Sequence, residues 1–130
     1  MKDSGVADYP TEPREPWIDE NGFLCVRTGN ERRTKAIVER NFRTAAVLTE
    51  GKRRPWMVDA RALTGADPVA WVAITERIGG SATSLAILVS NATTAEMANW
   101  QSRFDSLLLP CRMFIDEESA VAWLKASNRD

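Results

Sequence analysis

The residues that most restrict the fold lie in the last third of the chain. Leu85-Ala86-Ile87-Leu88-Val89 carries no polar interruption, which is how a strand reads when it is covered on both faces. Thr93 with Glu96 then reads as a capping box. Met97, Trp100, Phe104 and Leu107 recur at steps of three, four and three, the stripe of an amphipathic helix. Cys111 to Ile115 returns to a short strand-like run. Asp116 caps a closing helix with Ala120, Val121 and Leu124 inside and Trp123 at its border. A strand, a helix and a second strand in succession call for a parallel pair joined by a right-handed crossover.

The upstream sequence extends this alternation. Trp17-Ile18 and Phe23-Leu24-Cys25-Val26 flank Asn21-Gly22, a pair suited to the positive φ angles of a two-residue hairpin turn. Asn30 is placed to cap a helix running to about Glu50, with Gly51 as its stop. Its expected inner stripe is Ile37, Val38, Phe42, Ala45 and Leu48. Arg32, Arg33, Lys35, Glu39, Arg40 and Arg43 fall outside or at the edges. Trp56-Met57-Val58 reads as a short buried strand ending at Asp59. Asp67-Pro68 opens a helix with Trp71, Ile74 and Ile78 inside and Val72 beside them, closed by Gly79-Gly80. The predicted class is α/β, with a five-stranded mixed, mostly parallel sheet, an N-terminal β-hairpin and about four helices. Residues 1–16, with Pro10, Pro13 and Pro16, read as a flexible extended arm, and 17–130 as a single domain.

Composition narrows the chemistry. The 130 residues carry a net charge of −1, so no general attraction to nucleic acid or an anionic membrane is expected. No apolar run approaches the ~20 residues of a membrane span, and residues 1–6 lack the apolar core of a signal peptide. The expected location is cytoplasmic. Cys25 and Cys111 are far apart, each in an apolar run. They read as two buried reduced thiols, with a disulfide as the alternative and without the spacing of a metal site. The chain has no histidine, which removes Ser-His and Cys-His nucleophiles and the usual zinc sites. No metal and no cofactor are expected.

The segment Met57-Val58-Asp59-Ala60-Arg61-Ala62-Leu63-Thr64-Gly65, the strand over 85–90, and Arg112-Met113-Phe114-Ile115-Asp116-Glu117-Glu118 with Ala122-Trp123-Leu124 resemble the STAS/SEC14-like group. That group is related to SpoIIAA-like bacterial proteins and to sporulation anti-anti-sigma factors. The resemblance covers about 17–126. It implies the SpoIIAA-like fold and a regulatory protein-binding role, or, from the SEC14-like side, binding of an apolar molecule. Anti-anti-sigma factors carry a switch serine after an aspartate at the start of the helix that follows the central strand. Here Asp67 matches that aspartate and Pro68 stands where the serine would be, so the phosphorylatable hydroxyl is missing. Thr64 lies in the preceding loop.

Open α/β sheets hold ligands beyond the carboxyl ends of their strands. Asp59, Arg61, Thr64, Asp67, Ser90 and Asn91 are expected at that edge. They read either as a polar pocket or partner-binding rim, or as loop chemistry in which the two aspartates accept backbone N–H groups and Ser90-Asn91 turns the chain. Five tryptophans read as core or as the lining of a groove, with Trp71 and Trp100 the best groove candidates. The basic runs Arg32-Arg33-Lys35 and Lys52-Arg53-Arg54 read as solvated surface. Glu117-Glu118 are first-turn acids of a helix. No catalytic set is recognisable. The expected function is therefore a non-enzymatic regulatory or protein-interaction module, self-associating as a dimer. The alternative is a binder or sensor of a small apolar ligand, although a chain this short uses most of its apolar side chains for its own core.

Overall fold

The computed structural model describes residues 9–90, 102, 105, 107 and 109–127. Its strands are β1 (Arg14–Ile18), β2 (Leu24–Arg27), β3 (Arg32–Arg33), β4 (Arg54–Asp59), β5 (Gly65–Ala66), β6 (Ala82–Leu88) and β7 (Cys111–Phe114). The helices are α1 (Lys35–Thr49), α2 (Pro68–Ser81) and α3 (Glu117–Ser127). The main sheet runs β1-β2-β4-β6-β7, antiparallel only between β1 and β2. The short β3 and β5 form a separate parallel pair. This is the expected mixed, mostly parallel architecture. Of the helix predicted over 93–107, residues 102, 105 and 107 are described, 102 and 105 as helical; the rest falls outside the described residues.

The strand order explains the layering. From β2 onward each parallel strand is added on the same side of the last, so right-handed crossovers place their helices on one face. Side chains alternate accordingly. Leu24, Val26, Trp56, Leu85, Ile87 and Val89 meet Val38, Phe42 and Ala45 of α1 and Ala70, Ala73 and Ile78 of α2. On the other face Cys25, Met57, Ala86 and Leu88 meet Ala120 and Leu124 of α3. The unbroken apolar run of β6 is buried from both sides, which is why it lacks polar alternation.

Five local expectations are corrected. The hairpin does not turn on two residues. Its connection spans 19–23, with Asp19 Oδ1 accepting from Asn21 N at 2.9 Å and Phe23 N at 3.0 Å, and only Gly22 takes a positive φ (80°). Its first strand also begins at Arg14, upstream of Trp17, with a register irregularity around Pro16. A proline without an N–H is tolerated at such an edge position.

Helix α1 starts after Thr34, whose hydroxyl oxygen accepts from Ile37 N at 3.3 Å. Asn30 instead donates its backbone N–H to Thr11 O. The start is displaced because Arg32 and Arg33 pair with Gly65 and Ala66. Along α1 Leu48 is exposed, while Asn41 and Thr49 are buried. At 3.6 residues per turn Thr49 returns to within about 20° of Val38, whereas Leu48 sits about 80° away.

Gly79-Gly80 does not end α2, which continues to Ser81 and passes without a loop into β6. The junction's carbonyls are satisfied from β4 and its approach. Trp56 Nε1 donates to Ser81 O at 3.2 Å and Arg53 Nη2 to Ala82 O at 2.9 Å. Helix α3 begins as expected: Asp116 Oδ2 accepts from Ser119 N at 2.8 Å.

Candidate functional site

At the carboxyl edge the candidate residues separate into two sets. Asp59 ends β4 and is buried. Arg61, two residues on, closes a fork over its carboxylate and also donates its own N–H to Oδ1 at 3.2 Å. Arg27, opposite Asp59 in the β2–β4 register, brings Nε to 3.7 Å from Oδ2. The bond to Asp59 raises the affinity of Arg61 for its proton. A general base needs a carboxylate oxygen aimed at a substrate proton, and here both oxygens are engaged by the fork. Asp59 belongs to the α3 face, as does Met57 before it.

Asp67 goes to the other set. Its side chain makes no cap bond to α2; it pairs with Arg32 across the β3–β5 pair, while its backbone carbonyl accepts from Ala70 N and Trp71 N. Thr64 is exposed and donates its backbone N–H to Glu31 O. Ser90 is half-buried just beyond β6. Among the described residues no hydrogen bond or ion pair joins the Asp59 set to the Asp67 set. Asn91 and Trp100 lie outside the described residues.

Trp71 takes part in something the sequence does not announce. A partly open cavity of about 90 Å³ lies between the sheet and the α1–α2 layer. Its apolar wall includes Val38, Phe42, Trp56, Trp71 and Ile74, with the Phe42 and Trp56 rings 5.2 Å apart between centroids. Thr28, Arg33 and Asn41, all buried, border it as well, yet almost all of the surface it exposes is apolar. The Thr28 hydroxyl donates to the Gly29 and Asp59 carbonyls at 3.2 and 3.4 Å. Arg33, expected on the surface, is only 7% exposed. Burial lowers its affinity for the proton, opposed by Glu31 and helped by Arg40. Its position follows from the β3–β5 pairing, which turns the residue inward and which no local pattern signals. Asn41 could have been found: it lies three residues beyond Val38 on the expected inner stripe.

A second, wider cleft of about 600 Å³ runs between the hairpin loop and the start of α3. It is lined by Trp17, Arg27 and Lys125 with the carboxylates of Asp19, Glu20, Glu117 and Glu118. The Arg14 guanidinium stacks 3.7 Å from the Trp17 ring. Cys25 borders this cleft, yet burial, then Asp19, pushes its thiol up to about 12. Burial and Asp105 do the same to Cys111. Neither thiol carries the thiolate that nucleophilic chemistry requires at neutral pH. Both cysteines are free. Among the described residues no three acids or cysteines gather as a metal site, and no helix is long and apolar enough to cross a membrane.

No curated protein matches this sequence. A crystal structure of an uncharacterized protein of the DUF3478 family with a SpoIIAA-like fold, from Shewanella loihica PV-4, superposes with a TM-score of 0.61. It is 17% identical, over 92% of this chain and 99% of the other. At that identity the likeness is one of fold, and the fold is SpoIIAA-like, as the resemblance in the sequence implied. The family model described as "Domain of unknown function (DUF7793)" matches residues 17–128, and the chain belongs to that family.

Proposed function

We propose that this domain is a non-catalytic module that binds a small, largely apolar molecule between its sheet and the α1–α2 layer. The observation that carries this reading is the cavity beside Phe42, Trp56 and Trp71. Well-packed interiors leave few voids larger than a water molecule, and this one is about 90 Å³. Its size also limits the occupant. An apolar cavity of about 150 Å³ takes up benzene, and drug-sized ligands fill about 300–1,000 Å³. A whole lipid does not fit; a compact molecule of a few heavy atoms, entering through the open side, does. The occupied Asp59 carboxylate and the two protonated thiols support the non-catalytic part of the reading.

The test is a benzene titration of the purified chain followed by amide and indole NMR. Saturable shifts centred on Phe42, Trp56, Trp71 and Ile74 are expected. Absence of any shift there at aqueous saturation removes the reading.

A second reading, a self-associating interaction module, is favoured by Val69 and Val72, 57% and 52% exposed on one side of α2's first turns. They adjoin Pro68, the position that lacks the switch hydroxyl. Sedimentation velocity decides it: a dimer that dissociates on Val69→Asp supports it, and a monomer at high concentration eliminates it.

A further inference from the structure

Resting on the cavity reading, we infer that the occupant is a hydrocarbon of about six carbons or fewer, and that the site rejects the same skeleton once it carries a hydrogen-bonding group. The wall has no hydrogen bond to give. On the sheet side it includes Val26, Trp56 and Ile87, which belong to β2, β4 and β6. Each of these strands is paired on both of its edges, so the ladder takes up their backbone groups. On the helix side Phe42 and Ile74 lie within α1 and α2, where N–H and C=O groups bond to one another.

The side chains follow the same rule. The Trp56 indole N–H donates to Ser81 O at 3.2 Å, and the Thr28 hydroxyl is directed at the carbonyls of Gly29 and Asp59. Arg33 and Asn41 border the space, but the surface it exposes is almost wholly apolar. Among the described residues, none of the buried side-chain polar atoms that lack a partner belongs to this wall.

That arrangement decides between classes of guest. A hydroxyl, a carbonyl or a ring nitrogen carried inside would leave water and find no partner, which weakens binding. An alkene or a small arene has no such bond to lose. It gains dispersion contact with the Phe42 and Trp56 rings, whose centroids are 5.2 Å apart. A hydrophobic pocket discriminates against a polar isostere by up to about a hundredfold. The site therefore separates a hydrocarbon from the alcohol, ketone or amine made from it, and does so by exclusion rather than by recognition.

The experiment compares two isosteric pairs, benzene with pyridine and 2-methylpropene with acetone. The members of a pair match in size and differ by one polar atom. Each is titrated into the purified chain, and binding is read from amide and indole NMR shifts at Phe42, Trp56, Trp71 and Ile74. In every pair with a member that binds, the hydrocarbon is expected to bind at least about tenfold tighter than its polar isostere. A smaller margin in any such pair overturns the inference, as does a polar member that binds the tighter of the two. If benzene binds and pyridine binds as well, the cavity reading stands and this inference falls. If none of the four compounds shifts these resonances at aqueous saturation, both fall.

Discussion

Arg61 grips Asp59 from only two residues away, with Nε 2.9 Å from Oδ1 and Nη2 2.8 Å from Oδ2. The fork folds the loop after β4 back onto the strand's own end. The two side chains are 16% and 11% exposed, so solvent screens the pair poorly. Removing one partner of a shielded pair leaves the other charge uncompensated. Asp59→Asn should lower unfolding free energy by about 2–4 kcal/mol, since Arg27 shares the same carboxylate. Urea denaturation measures it. A loss below about 1 kcal/mol, the range of exposed pairs, would mean the arginines find other acceptors.

The thiols set the alkaline limit. Burial holds Cys25 and Cys111 at about 12, against the 9.0 of an exposed thiol. A folded pKa raised above the unfolded one gives stability that is complete below pH 9.0 and declines from there to about 12, because the unfolded chain loses its thiol protons first. Denaturation midpoints should therefore fall across that window. The Cys25→Ala, Cys111→Ala double variant should show a flatter decline. Iodoacetamide at pH 8 should label both positions only in denaturant; rapid labelling of the native protein would contradict the burial argument.

At the acid end the relevant group is Asp116. The Ser119 backbone N–H, then the Ser119 side chain, hold its carboxyl below the ordinary aspartate value of 3.8. The sign is opposite to that of the thiols: the cap's contribution is complete above pH 3.8 and is lost as pH falls further toward the depressed value. Asp116→Ala should melt earlier than the unmodified chain at pH 7, and the difference should close in strong acid. A difference that persists unchanged there would show that the carboxylate is not its source.

Two substitutions on α1 separate the observed inner face from the expected one. Leu48 is 40% exposed and Phe42 is 9% exposed against Trp56. Leu48→Gln should change stability by no more than about 0.5 kcal/mol. Phe42→Ala should cost about 3–5 kcal/mol, since it enlarges an existing cavity. Thermal or urea unfolding of the pair measures both, and a large loss for Leu48→Gln would place that side chain inside.

These residues also show where sequence reasoning succeeds. Strand β6 announces itself because burial on two faces leaves its run from Leu85 onward without a polar side chain, and the Asp67-Pro68 and Asp116 starts follow from local chemistry. The hairpin strands were legible, whereas their turn was not, because Asp19 rather than Asn21-Gly22 organises it. The start of α1 was hidden for a different reason: Arg32-Arg33 pairs with residues more than thirty positions away. The same pairing buries Arg33, so the burial of that charge has no signature in local spacing. The cavity itself is a failure of side chains to fill space, a property of the packed whole. Trp71 was expected at a groove, and Asp59 and Asp67 at the carboxyl edge, yet the two acids bind different arginines.

Helix α2 supplies Trp71, Ile74 and Ile78 to one wall of the cavity and becomes strand β6 at Ala82 with no residue between them. There is no slack at that joint to take up a tilt. Any displacement of the helix by a guest must be carried into the middle of the sheet, and from there to the β7 backbone bonded alongside. The same rigid coupling means that a guest already seated would stiffen the centre of the molecule rather than a peripheral flap.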